Sequence, residues 1–129
     1  MGKRLQLMTV LTLGIIAGGI GSMVLGQGEP VKPAFIIVSA DLRADADTQA
    51  MDTYREKAGP VARAAGITIV ARGVPTVLEG EWPSETVTIE QFTSMEALLE
   101  FWHSDEYQAA KKYREGQLDL NFIVAIEAN

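Results

Sequence analysis

Residues 85–103 read ETVTIEQFTSMEALLEFWH, and the fold turns on them. From Glu85 to Phe92 (ETVTIEQF) the residues alternate with a period of two, the pattern of a strand whose successive side chains point to opposite faces. After Thr93 the period changes. Met95, Leu98, Leu99 and Trp102 fall at i, i+3, i+4 and i+7, the spacing that collects apolar side chains on one face of a helix. Thr93-Ser94-Met95-Glu96 stands between the two patterns and matches the capping box.

Working downstream, Ser104 can cap a further short helix, with Asp105 and Glu106 in the first turn where negative charge is favourable. It runs to about Glu115, and Gly116 stops it. Leu118–Glu127 (LDLNFIVAIE) is the last strand. Upstream, Gly73–Pro83 is a loop rich in Gly and Pro that has room for a short strand at Thr76–Leu78, and Ile67–Arg72 (ITIVAR) is a strand. Before that comes a helix capped by Asp45 or Asp47, with Met51, Tyr54, Ala58, Val61 and Ala65 on one face. Gly59-Pro60 should kink it and Gly66 should end it. Ala34–Ala40 (AFIIVSA) is the first strand. The order β-α-β-β-α-β is the ferredoxin-like, split βαβ arrangement of the α+β class. It places an antiparallel sheet on one side and both long helices on the other.

Phe35–Val38 and Phe122–Ile126 are continuous apolar runs. A sheet with one wet face alternates, whereas one covered on both faces need not. Two helices cover only one face, so the pattern predicts a homodimer whose sheets pack face to face.

The N-terminus is a separate object. Lys3 and Arg4 precede an uncharged stretch from Leu5 to Leu25, a basic n-region and an apolar h-region. Residues 1–26 read as a signal peptide or, uncleaved, as an apolar membrane-anchoring helix through residues 5–25; both export the remainder. Residues 27–33 (QGEPVKP) are a linker, and residues 34–129 form the domain.

The chain has 129 residues, enough for one such domain. It contains no cysteine and one histidine, which excludes disulfides, thiol catalysis and multi-histidine metal sites; no metal or cofactor is expected. Lys3 and Arg4 account for two of the 11 basic residues. The exported part therefore keeps 9 basic against 17 acidic side chains, a net charge of −8, which argues against nucleic acid as a partner.

AFIIVSADL, the Tyr54 helix running into Pro60, GITIVARGVPTVLEGEWP, TVTIEQF, SMEALLEFWHSDEYQAAKKYRE and NFIVAIEA cover nearly all of residues 34–129. In these stretches the domain resembles the domain-of-unknown-function family 1330 (DUF1330) of the dimeric α+β barrel superfamily. The resemblance implies a ferredoxin-like subunit and a dimer, and it implies no activity. More distant members of the superfamily resemble cofactor-independent monooxygenases and haem-degrading enzymes.

Six residues are candidates for lining a ligand pocket between sheet and helices. Arg72, ending the second strand, could clamp a carboxylate or pair with Glu79. Tyr54 and Tyr107 lie on helix faces turned to the sheet, where each hydroxyl could meet a ligand or sit at the edge of the core. His103 could serve as a general base or haem ligand, or simply favour a helix C-terminus. Trp82 could lie over a pocket or pack a rigid loop. Lys111, Lys112 and Arg114 read as a solvated basic face. Three functions suit these features: a small-molecule binding domain, a cofactor-independent enzyme of monooxygenase or isomerase type, or an interaction module at the membrane surface. Expressed with its own N-terminus, the chain is expected in the membrane or in the exported soluble fraction. Recovery with the cytosol after cell fractionation would contradict that expectation.

Overall fold

Residues 28–129 are described by a computed structural model; the segment read as signal or anchor lies outside the described residues. Among the described residues no helix is long and apolar enough to cross a membrane. The elements are β1 (Ala34–Leu42), α1 (Thr48–Ala64), β2 (Thr68–Gly73), β3 (Val87–Phe92), α2 (Met95–His103), α3 (Asp105–Arg114) and β4 (Leu118–Glu127). The strands form one sheet in the order β2-β3-β1-β4, with every neighbouring pair antiparallel. Two β-α-β units interleave in this way, which is the ferredoxin-like topology.

Each helix starts where a short polar side chain can take an otherwise unpaired backbone N–H. Asp47 accepts from the amides of Gln49 and Ala50 and starts α1. Ser94, one residue later than the capping box suggests, accepts from Ala97 and starts α2. Ser104 serves two helices: its hydroxyl donates to the Phe101 carbonyl at the end of α2 and accepts from the Tyr107 amide at the start of α3. That double role sets the turn between the helices and so the place of Tyr107. Gly66 and Gly116 follow α1 and α3 with φ of 73° and 79°, a left-handed conformation that glycine adopts without a Cβ penalty. Helix α1 continues through Pro60 as one element. Thr76–Leu78 lies in an irregular loop and forms no strand.

The core lies between the sheet and the helices. Ala34, Ile36 and Phe92 of the strands meet Ala58 of α1, Leu98 and Phe101 of α2, and Tyr107 and Ala110 of α3. Aromatic rings run through it, Phe92 to Phe101 at 5.4 Å, Phe101 to Tyr107 at 4.4 Å and Tyr107 to Trp102 at 5.3 Å between centroids. The buried stripe of α2 runs through Leu98 and Phe101, flanked by half-buried Met95 and Trp102. Leu99, placed on that stripe by its spacing, is 44% exposed because Phe101 takes the inward direction. Phe92 is 1% exposed, so Phe92→Ala should lower unfolding free energy by about 3–5 kcal/mol. The same change at Leu99 should cost much less, and urea denaturation midpoints of the two variants check the difference.

Candidate functional site

Residues directly opposite one another in adjacent strands point to the same face. The register therefore assigns every strand residue a side. Ile36 lies in the core and is opposite Glu90, which is opposite Ile69. Val38, packed against the core, is opposite Thr88, which is opposite Arg72. So Thr88 and Glu90 turn toward the helices. Val87 and Ile89 turn away from them, while Phe92, on the same side as Thr88 and Glu90, enters the core.

The helix layer presents polar groups to the same side. Tyr107, Ala110 and Arg114 are the buried residues of α3, at i, i+3 and i+7. Arg114 is 6% exposed, which corrects its assignment to a solvated basic face. Its Nη2 donates to the Tyr107 hydroxyl at 3.4 Å, and its guanidinium lies 5.7 Å from the centre of the Tyr54 ring. Burial opposes the charge of Arg114 most strongly, but the tyrosine oxygens outweigh it and its pKa lies above the ordinary value. Burial pushes the Tyr54 phenol well up, and the neighbouring Tyr107 hydroxyl pushes it further. Tyr54 therefore stays a neutral hydroxyl, able to donate a hydrogen bond. Burial also raises the Glu90 carboxyl, and Arg72 partly offsets this. Ile69, beside Glu90 on the helix side, is 50% exposed, so solvent reaches this side along β2.

Of the residues singled out in the sequence, the structure brings Tyr54 and Tyr107 together and sets Arg72 beside Glu90. Arg72 Nε donates to the Thr88 hydroxyl at 3.4 Å; no ion pair to Glu79 forms among the described residues. Glu79 is exposed in the loop after β2, and His103 is exposed at the end of α2. Trp82 lies elsewhere, edge-on to Phe122 at 5.6 Å. Its indole N–H donates to the Ser84 hydroxyl and the Thr86 carbonyl, Ser84 bonds Ser39 at 2.8 Å, and Asn121 donates to Ser39. This network pins the 74–86 loop to the sheet, and an open hollow of about 350 Å³ lies within the loop, lined by Val74, Val77 and Trp82 among others. Among the described residues no group of three acidic or histidine side chains could hold a metal.

Arg114 and Glu90 were not among the candidates. The spacing Tyr107, Ala110, Arg114 carries the signal for the first, a helix stripe that ends in a charge. Glu90 carries none, because its side depends on strand pairing.

The family model described as Domain of unknown function (DUF1330) matches residues 33–128. The chain belongs to DUF1330. No curated protein matches it. Among solved structures, this DUF1330 chain is similar to the RPA0582 protein of unknown function from Rhodopseudomonas palustris, at 20% identity and a TM-score of 0.59 over 86% of this chain and 92% of that one. It is also similar to SnoaB, a cofactor-independent oxygenase from Streptomyces nogalater, at 10% identity and a TM-score of 0.50 over 77% and 95% of the two chains. At these identities the likeness is one of fold.

Because burial raises the Glu90 pKa above its unfolded value, ionising Glu90 costs folding free energy. Relative to Glu90→Gln, the wild type should lose stability as pH rises from the unfolded carboxylate range through that raised pKa. Urea midpoints of the two proteins, taken from about pH 4 to about pH 8, should diverge in favour of the variant. Parallel curves would show that Glu90 is not desolvated.

Proposed function

We propose that this DUF1330 domain binds a small organic molecule on the helix side of its sheet, and that a second copy covers the other side. One observation supports both parts: β3 turns Thr88 and Glu90 inward and Val87 and Ile89 outward. Polar side chains facing a core are unfavourable unless something satisfies them. Here Glu90 lies close enough to act on the Tyr54 phenol, on the side open to solvent at β2. An apolar setting with a few convergent polar groups is the usual make-up of a small-molecule site.

The outer face supports the homodimer. Two rows cross it, Ala71–Ile89–Ile37–Val124 and Thr68–Gln91–Phe35–Ile126. Neither row carries a charge. Val124 and Ile126 are 45% and 55% exposed in the single subunit. In a chain of net charge −6, an uncharged apolar face is where a like-charged copy can approach without repulsion. Burying it in a two-fold contact would remove the unpaired apolar surface that monomers seldom leave open. The working compartment in this reading is extracytoplasmic, with the domain either free after cleavage or held to the membrane by residues 5–25.

The protein recovered with its own N-terminus should sediment as a dimer at micromolar concentration. Val124→Glu, which places a charge on a position already half-exposed in the subunit, should give a folded monomer. A wild-type monomer, or a dimer unaffected by Val124→Glu, would contradict the face-to-face assembly.

A further inference from the structure

We propose that the small molecule is a carboxylate, and that Arg114 takes its negative group with the Tyr54 hydroxyl as a second donor. The proposal rests on the reading that a ligand binds on the helix side of the sheet. It starts from a contrast among the arginines. Arg43 pairs with Asp45 and Asp119, and Arg55 pairs with Asp52, all on the surface where pairing gains little. Arg114 is buried, and no carboxylate lies within 4 Å of it among the described residues. Residues 1–27 contain no Asp or Glu, so the remainder of the chain holds no alternative partner. A buried guanidinium is ordinarily paired, because removing its charge from water is costly.

The donors left over are suited to an anion. A guanidinium offers five N–H groups in a planar fork that matches a carboxylate. Among the described residues only Nη2 makes a hydrogen bond, the long one to Tyr107. Among the described residues no side-chain nitrogen or oxygen is both sealed from solvent and without a partner, so the free guanidinium donors remain reachable. Tyr54 lies against the guanidinium and keeps its proton, adding a neutral donor rather than a competing charge. The register turns two strand acids to this side: Glu90, whose charged neighbour is Arg72, and Glu127, which is exposed at the end of β4. The group thus holds an uncommitted positive charge with a hydroxyl beside it, a recognition element for a small organic acid.

Ligand-observed NMR on the full-length protein tests this with acetate, succinate and benzoate against acetamide, succinamide and benzamide. At least one acid should bind about tenfold or more tightly than its amide, the loss expected when a charged hydrogen-bond pair becomes neutral. Arg114→Met should abolish that preference, and Tyr54→Phe, which removes only the hydroxyl and leaves the ring packing, should reduce it. Amides that bind as well as their acids, or a preference that survives both substitutions, would overturn the carboxylate assignment and leave the small-molecule reading standing. Binding of neither series would overturn both.

Discussion

The antiparallel register of the four strands is the constraint on which the rest depends. It is continuous from β2 through β3 and β1 to β4, so one pairing, Ile36 opposite Glu90, assigns the facing of every strand residue outside the bulges. A slip of one residue between β1 and β3 would send Glu90 outward and Ile89 into the subunit core. The slip is opposed from both ends. Ala34 and Phe92 are partners and both are fully buried, while the bulge between Ser39 and Ala40 sits beside the hydrogen-bonded Ser39–Ser84 pair. Once the register holds, the subunit has two dissimilar faces: one sets Thr88 and Glu90 among the apolar core residues beneath the helices, and the other carries uncharged rows that the helices do not cover.

Much of this architecture was legible in the sequence because it is local. Period two in β3, period 3.6 in α2, and glycines at 66 and 116 where a left-handed residue ends a helix mark the elements within a residue or two. The last strand has the bounds its composition suggests, Leu118–Glu127. The continuous apolar runs in β1 and β4 also pointed correctly to an outer face without polar alternation, since Ile37, Val124 and Ile126 lie on it. What was not legible is non-local. Alternation says that β3 has two faces but not which one meets the helices. Leu99 and Phe101 compete for the inward direction of α2, and packing against Phe92 and Tyr107 decides for Phe101. Arg114 looked like part of a solvated cluster with Lys111 and Lys112 because charge runs usually are. Its burial follows from its place on the inward stripe of α3 that Tyr107 and Ala110 begin.

The candidate site was legible in the same uneven way. Tyr54 and Tyr107 are read from helix periodicity and do come together. Arg72 reaches the site's edge through its strand position. His103, Glu79 and Trp82 were chosen by residue type, and type does not place a side chain. Trp82 instead anchors the long loop to Phe122 and Ser84. An interior that keeps an arginine, two tyrosines and a glutamate forgoes apolar contacts that a purely structural core would make. A ligand that uses those groups would account for their retention.

The two-faced sheet is tested most directly by a thiol introduced into a chain that has no cysteine of its own. Val124→Cys places it on the outer face, and Asp52→Cys places a control on the exposed side of α1. The rate of reaction with a maleimide is followed as the protein is diluted. If a second copy covers the outer face, the thiol at 124 is protected at high concentration and becomes reactive on dilution, while the thiol at 52 reacts at one rate throughout. A thiol at 124 that reacts at the same rate at every concentration would contradict the covered face and, with it, the division of the sheet into an assembly side and a ligand side.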